Sequence, residues 1–305
     1  MDEASGQPAP SHKTYPRVRV SALARRILVL AAVVAVCGLT YGFMLVQFHS
    51  WKPPVEAEFG AAPSEARVRL YLQPLQIDPV NDSIQIRVSV LPDPALADEV
   101  ATIADRDFLL KIKRGTQTEH VQIHANQPPP EVTYDFDLDS GEVKDYPLDH
   151  YEARVSLAAS ERGPDGSEKP LAIHATVWEG LLGFRLKGQV QATQKPGMLL
   201  LRFAIERTGG VAFFGIAIYG AMAVMTLCAL IISGLVFIGI RQSEVTLVGA
   251  FGAMIFALPA LRNTLPGTPP LGVRADFLIF FWAELGAVIA LCLFIAAWIR
   301  SGARP

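Results

Sequence analysis

The chain has 305 residues, of which 51% are hydrophobic and 18% charged, with a mean hydropathy of +0.31 and a formal net charge of −2. So apolar a composition excludes an ordinary soluble protein, yet residues 47–210 are mostly polar, so two solvents are involved. All three cysteines, Cys37, Cys228 and Cys292, lie in apolar runs, which excludes disulfides, cysteine nucleophiles and cysteine-based zinc sites from the polar region.

Residues 1–26 read as a cytoplasmic, disordered, basic tail. Met1 to Ser11 is rich in Pro, Ser, Gly and Gln, and Lys13, Arg17, Arg19, Arg25 and Arg26 follow. The first apolar run, 27–46, is long enough to cross a hydrocarbon core of about 30 Å as a helix. Its apolar stretch exceeds the roughly 7–15 residues of a signal peptide. No small-x-small cleavage site follows at Gln47 to Lys52, so it reads as a retained anchor with a cytoplasmic N-terminus.

Residues 47–210 read as an extracytoplasmic β-rich domain. Ile84, Ile86, Val88 and Val90 alternate with polar residues, as do Tyr151, Ala153, Val155 and Leu157. That period of two marks half-buried strands. Seven further segments, near 68–72, 107–113, 119–124, 132–138, 172–177, 184–190 and 199–205, bring the expected strands to nine, separated by turns such as Gly163-Pro164-Asp165-Gly166. This predicts an all-β, sandwich-like fold. The domain carries 17 basic against 24 acidic residues, which argues against a nucleic-acid partner.

Within the domain, Asp135, Asp137 and Asp139 imitate a calcium loop, but the glycine comes one position late and Tyr146 stands where a bidentate Glu is needed. A strand with an acidic outer face is the simpler reading. His120 and His124 would lie about 13 Å apart on a strand, too far to share a metal. The motifs of serine hydrolases, phosphate loops, dinucleotide sites and zincins do not occur. No enzyme, cofactor or metal is predicted.

Three more runs follow at 211–240, 246–261 and 277–299. They are joined by a short turn and by a Pro/Gly loop at 262–276, and a cytoplasmic tail ends the chain at 300–305. With Arg241, Arg300 and Arg304 on the cytoplasmic side, both termini are inside; Arg262 and Arg274, on the other side, run against that bias. Tyr219, Thr226 and Ser233 form a seven-residue polar stripe that fits either a pore lining or interhelical hydrogen bonds. Glu284, the one charged residue in the four runs, sits about 10 Å into the last of them and needs a partner. Arg262 and Arg274 are the candidate partners; an ion or proton site is the alternative.

The anchor, the β-rich region with Tyr146-Pro-Leu-Asp149-His-Tyr151, and the hairpin Leu261-Arg-Asn…Pro269-Pro-Leu-Gly272…Asp276…Phe281-Trp-Ala-Glu284 together resemble bacterial membrane proteins of domain-of-unknown-function family 4436. The resemblance runs over nearly the whole chain after the tail and implies a topology without an activity. It also implies that Arg262, Asp276 and Glu284 belong to one constellation. Tyr146-Pro147-Leu-Asp149, with Arg207 ahead of the second run, is similar to the membrane-facing turn of pentameric ligand-gated channels, though only three helices follow. The expected role is a non-enzymatic envelope protein in the lipid bilayer, binding or scaffolding a protein partner or a second copy. The alternative is a channel-like or sensor-coupled pore subunit.

Overall fold

A computed structural model describes residues 20–49, 56–91, 107–163, 165–192, 195 and 197–302. Residues 1–19 of the expected tail and 50–52 of the segment that follows the first apolar run lie outside them; residues 20–26, expected in the tail, are instead helical and continuous with that run. Four helices are long and apolar enough to cross a membrane: α1 (Val20–His49), α2 (Gly209–Phe237), α3 (Thr246–Asn263) and α4 (Phe281–Gly302), the last preceded by one wide π turn at Asp276–Phe280. Helix α1 belongs to a compact unit of its own, residues 1–51, and the remainder of the chain forms a second unit.

The second unit begins with twelve strands: β1 (Glu56–Gly60), β2 (Val68–Asp78), β3 (Ser83–Leu91), β4 (Phe108–Arg114), β5 (Gln117–Ile123), β6 (Val132–Ser140), β7 (His150–Arg162), β8 (Glu168–Leu171), β9 (Ile173–Trp178), β10 (Gly180–Leu181), β11 (Phe184–Gln191) and β12 (Met198–Arg207). All nine expected segments are strands. The three that were not expected, β1, β8 and β10, have five, four and two residues, too few for a pattern to mark them, so they owe their pairing to neighbours.

The strands make one mixed, curled sheet in the order β1-β9-β2-β3-β6-β7-β12-β11-β10, with the β4–β5 hairpin and β8 attached to β7. Only β2 and β9 run parallel. Alternation places Leu70, Leu72, Ile84, Ile86, Phe136, Val155, Leu157, Leu201 and Phe203 in a single core. The curl brings the two ends of the path together: a Cβ on Gly188 of β11 would stand 2.7 Å from the ring of Phe59 in β1. Glycine is required there because no side chain fits beneath the ring.

Register fixes the two ends of this sheet. Arg207 of β12 pairs with Phe184, Glu206 with His150, Ser140 with Glu152, and Ser83 with Asp137. The β2–β3 turn, the β6–β7 loop and the β10–β11 turn therefore lie at the end where β12 runs into α2. The β7–β8 turn near Asp165 lies at the opposite end.

Helices α2, α3 and α4 pack as a bundle around small residues. Ala283, Ala287, Ala290 and Ala297 of α4 are buried, and a Cβ on Gly286 would collide with Thr226. Close approach of this kind is how helices associate in an apolar medium. Helix α2 ends earlier than the expected residue 240, because Gly239 takes a positive φ of 81°. Its N–H reaches Val236 and that of Ile240 reaches Leu235, which closes the helix with a left-handed cap. Helix α3 runs past the expected 261 through Pro259 to Asn263, and so carries Arg262 on its last turn.

If the curled sheet has one core, emptying its centre weakens all of it. Phe203→Ala, at a fully buried position, is expected to cost about 3–5 kcal/mol. Thermal unfolding followed by far-ultraviolet circular dichroism in detergent measures the loss.

Candidate functional site: the junction of sheet and helices

The candidate residues converge where the sheet meets the bundle. Asp149 immediately precedes β7 and Arg207 closes β12; the antiparallel register, which pairs Glu206 with His150, makes them neighbours although they are 58 positions apart. Arg207 donates through Nε to Asp149 Oδ1 at 2.5 Å, and the Tyr151 hydroxyl donates to Asp149 Oδ2 at 2.6 Å. Both charged side chains are buried, at 4% and 0% exposure. A carboxylate and a guanidinium so far from water are tolerated because each supplies the other's counter-charge and hydrogen bonds.

The guanidinium also lies between two aromatic faces, 4.6 Å from the centroid of Tyr146 and 4.8 Å from that of Phe184. Desolvated cation–π contacts of this kind contribute about 2 kcal/mol each. Tyr146 and Pro147, joined by a cis peptide bond, reach from the sheet to the helices. A Cβ on Gly215 of α2 would stand 3.0 Å from both Pro147 and the Tyr146 hydroxyl. That hydroxyl donates to the carbonyl of Pro266 in the α3–α4 loop at 3.2 Å. Gly267, at a φ of 76°, lies against the Arg207 guanidinium, where a side chain would meet Nη1 at 2.8 Å.

The α3–α4 loop is held in turn by a second buried pair. Arg262 Nη2 donates to Asp276 Oδ2 at 2.8 Å and to the carbonyl of Pro270 at 2.7 Å, while Nε donates to Asp276 Oδ1 and Nη1 to the carbonyl of Pro269. Asp276 also accepts from the Tyr219 hydroxyl at 2.8 Å and from the N–H of Gly272 at 3.0 Å. The wide turn at Asp276–Phe280 buries Asp276 while leaving Phe277 and Leu278 exposed. A third pair, Arg274 with Asp145 at 2.9 Å, joins the loop to the sheet in more open surroundings.

These contacts overturn the pairing expected for Glu284. Arg262 is taken by Asp276 and Arg274 by Asp145, and Glu284 Oε2 is buried with no hydrogen-bond partner among the described residues. The expected constellation of Arg262, Asp276 and Glu284 thus contains its first two members only; a glutamate two helical turns beyond Asp276 does not reach the loop. The polar stripe of α2 faces inward. Tyr219 binds Asp276, the Thr226 hydroxyl donates to the carbonyl of Ala283, and Ser233 is buried. Tyr151, Phe184, Gly215 and Pro266 were not anticipated as parts of the site. The Asp149-x-Tyr151 spacing, which puts both side chains on one face of β7, was the available signal.

Elsewhere, the acidic strand face is occupied: Asp139 is held by Arg154 at 2.9 Å and Asp135 accepts from Gln85. At the end of the sheet away from the helices, a cavity of about 350 Å³ opens where β1 and β11 come together without pairing, lined by Gly60, Ala61, Val190 and Met198 among others.

Two expectations follow from the junction. Arg207→Ala and Asp149→Asn each leave an unpaired buried partner and are expected to lower unfolding stability by about 3–5 kcal/mol. Arg274→Ala, at a solvent-exposed pair, is expected to cost about 0–1 kcal/mol. Chemical denaturation in detergent distinguishes them. Burial also pushes the Tyr146 phenol up to about 12. The folded protein keeps a proton that the unfolded chain releases near 10. This stabilisation is complete below about pH 10 and is lost as pH rises through 12. Tyr146→Phe is expected to remove that part of the alkaline loss, read from stability measured across the same range.

Residues 207–301 match the family described as Domain of unknown function (DUF8686). The expected resemblance was drawn over nearly the whole chain, but the hairpin motif from Leu261 to Glu284 falls in this second family. No curated protein matches the chain. The pairs Asp149–Arg207 and Asp145–Arg274, and the bond from Tyr146 to Pro266, each join one matched segment to the other. Residues 58–203, which hold all of the sheet from β2 to the middle of β12, match the family described as Domain of unknown function (DUF4436).

Proposed function

We propose that this is an integral membrane protein whose sheet stands on the extracytoplasmic side and acts, without catalysis, as a rigid platform that binds or scaffolds another envelope component. The observation that carries the reading is the buried Arg207–Asp149 pair with its aromatic sandwich. It ties the last strand, the Tyr146–Pro147 turn and the α3–α4 loop into one joint with its main polar groups satisfied. We read the curled sheet as sandwich-like, its two halves facing each other across one core. The cavity between Gly60 and Val190, at the end away from the helices, is the surface that fits a partner's side chain.

Charge supports the orientation. Arg241 and Arg300 lie at one end of the bundle, where Arg300 stacks on Phe237 and donates to its carbonyl. The two arginines that oppose the inside-positive bias, Arg262 and Arg274, are neutralised by Asp276 and Asp145. The pore reading finds less support, since the stripe Tyr219, Thr226 and Ser233 is spent on contacts within the bundle and the outer faces are apolar.

Native mass spectrometry of the full chain in lipid nanodiscs tests this. A monomer, or a complex with other envelope proteins, is the expected result. A closed ring of identical subunits would overturn the scaffold in favour of a channel.

A further inference from the structure

Among the described residues of the sheet region, the exposed large apolar side chains are Val80, Leu148, Leu182 and Val190. Only Val190 lies at the end away from the helices. Leu182 is 95% exposed, more than any other large apolar residue described in the chain. It sits at the tip of the β10–β11 turn. That turn is pinned to the start of α2, because the N–H of Thr208 donates to Gly183 at 3.0 Å. Leu148, 67% exposed, follows Pro147, which packs on Gly215 in the second turn of α2. A soluble domain has no reason to concentrate exposed leucines at one rim; such a cluster marks a contact surface.

The length of α2 identifies what covers them. Its 29 residues span roughly 43 Å at 1.5 Å each, more than the hydrocarbon core of about 30 Å and close to the 40–45 Å that includes both headgroup layers. The helix remains apolar to its first turn, with Phe214 and Ile216 half exposed on its outer surface. The top turns of α2 therefore belong to the headgroup layer, and the turns pinned beside them share that depth.

We propose that Leu148 and Leu182 insert into the lipid headgroup and acyl boundary, so that the sheet rests on the bilayer surface as well as being joined to it through α2. The partner is the lipid itself, recognised by apolar contact. Asp145 and Glu142 at the rim are paired with Arg274 and Lys144, so apolar insertion rather than a cluster of free charge is what this surface offers the lipid. The inference rests on the membrane reading above, and its test separates the two.

In full-length protein with Cys37, Cys228 and Cys292 replaced by alanine, single nitroxides are placed by Leu148→Cys, Leu182→Cys, Val224→Cys and Lys169→Cys, and the protein is reconstituted in phosphatidylcholine vesicles. Val224 reports the lipid-facing middle of α2 and Lys169 the opposite end of the sheet. The expected result is a ratio of oxygen to water-soluble nickel chelate collisions several-fold higher at positions 148 and 182 than at 169. Equal, aqueous ratios at 148, 182 and 169 with a lipid value at 224 would overturn the insertion alone. An aqueous value at 224 would overturn the membrane reading and the insertion with it.

Discussion

A charge pair sealed away from water governs how this molecule is put together. Arg207 is the last residue of the sheet, and the helix that follows begins two positions later. Placing a guanidinium there commits the fold to supplying a carboxylate, a hydrogen-bonding geometry and apolar walls around it, because an uncompensated buried charge costs several kcal/mol. Asp149, Tyr151, Tyr146 and Phe184 meet those demands. They come from two separate stretches of the sheet region, residues 146–151 and the start of β11, so the sheet's own register must be correct before the joint can close.

The same logic is repeated on the helical side. The α3–α4 loop contains Pro266, Pro269 and Pro270, which offer carbonyls but no N–H groups. Arg262 uses the carbonyls of Pro269 and Pro270 as acceptors and Asp276 as counter-charge, which turns a segment without regular structure into a fixed surface. Tyr146 docks on that surface through Pro266, and Gly267 clears space for Arg207. The two ion pairs are thus linked through the loop between them, and movement of either the sheet or the helices would have to be accommodated by both.

The helical bundle shows how little room such an arrangement leaves for polar groups. Tyr219 and Thr226 of α2 each find a partner one helix away, and alanines and Gly286 bring the backbones close enough for this. Ser233 and Glu284 are the exceptions among the described residues of the bundle, each with one buried oxygen that has no hydrogen-bond partner. In the segments that match two separate families, the contacts that cross from one to the other are concentrated at the junction.

Much of the architecture follows from local patterns that a linear reading can see. Four apolar runs make four helices because a run of about 20 apolar residues has no other way to satisfy its backbone in lipid, and alternation marks nine strands because side chains leave a strand on opposite faces by turns. The short strands β1, β8 and β10 escape, since their pairing comes from neighbours. Partnerships among charges were not legible in the same way. Proximity in the chain assigns Glu284 to Arg262 or Arg274, whereas Arg262 pairs with Asp276 and Arg274 with Asp145. Arg207 found Asp149 only because β7 and β12 pair in one register. Periodicities that act over a few residues set the four helices and the nine longer strands. The tertiary structure decided which carboxylate each arginine takes, because a buried charge is matched by whatever the packing of distant elements brings within about 3 Å.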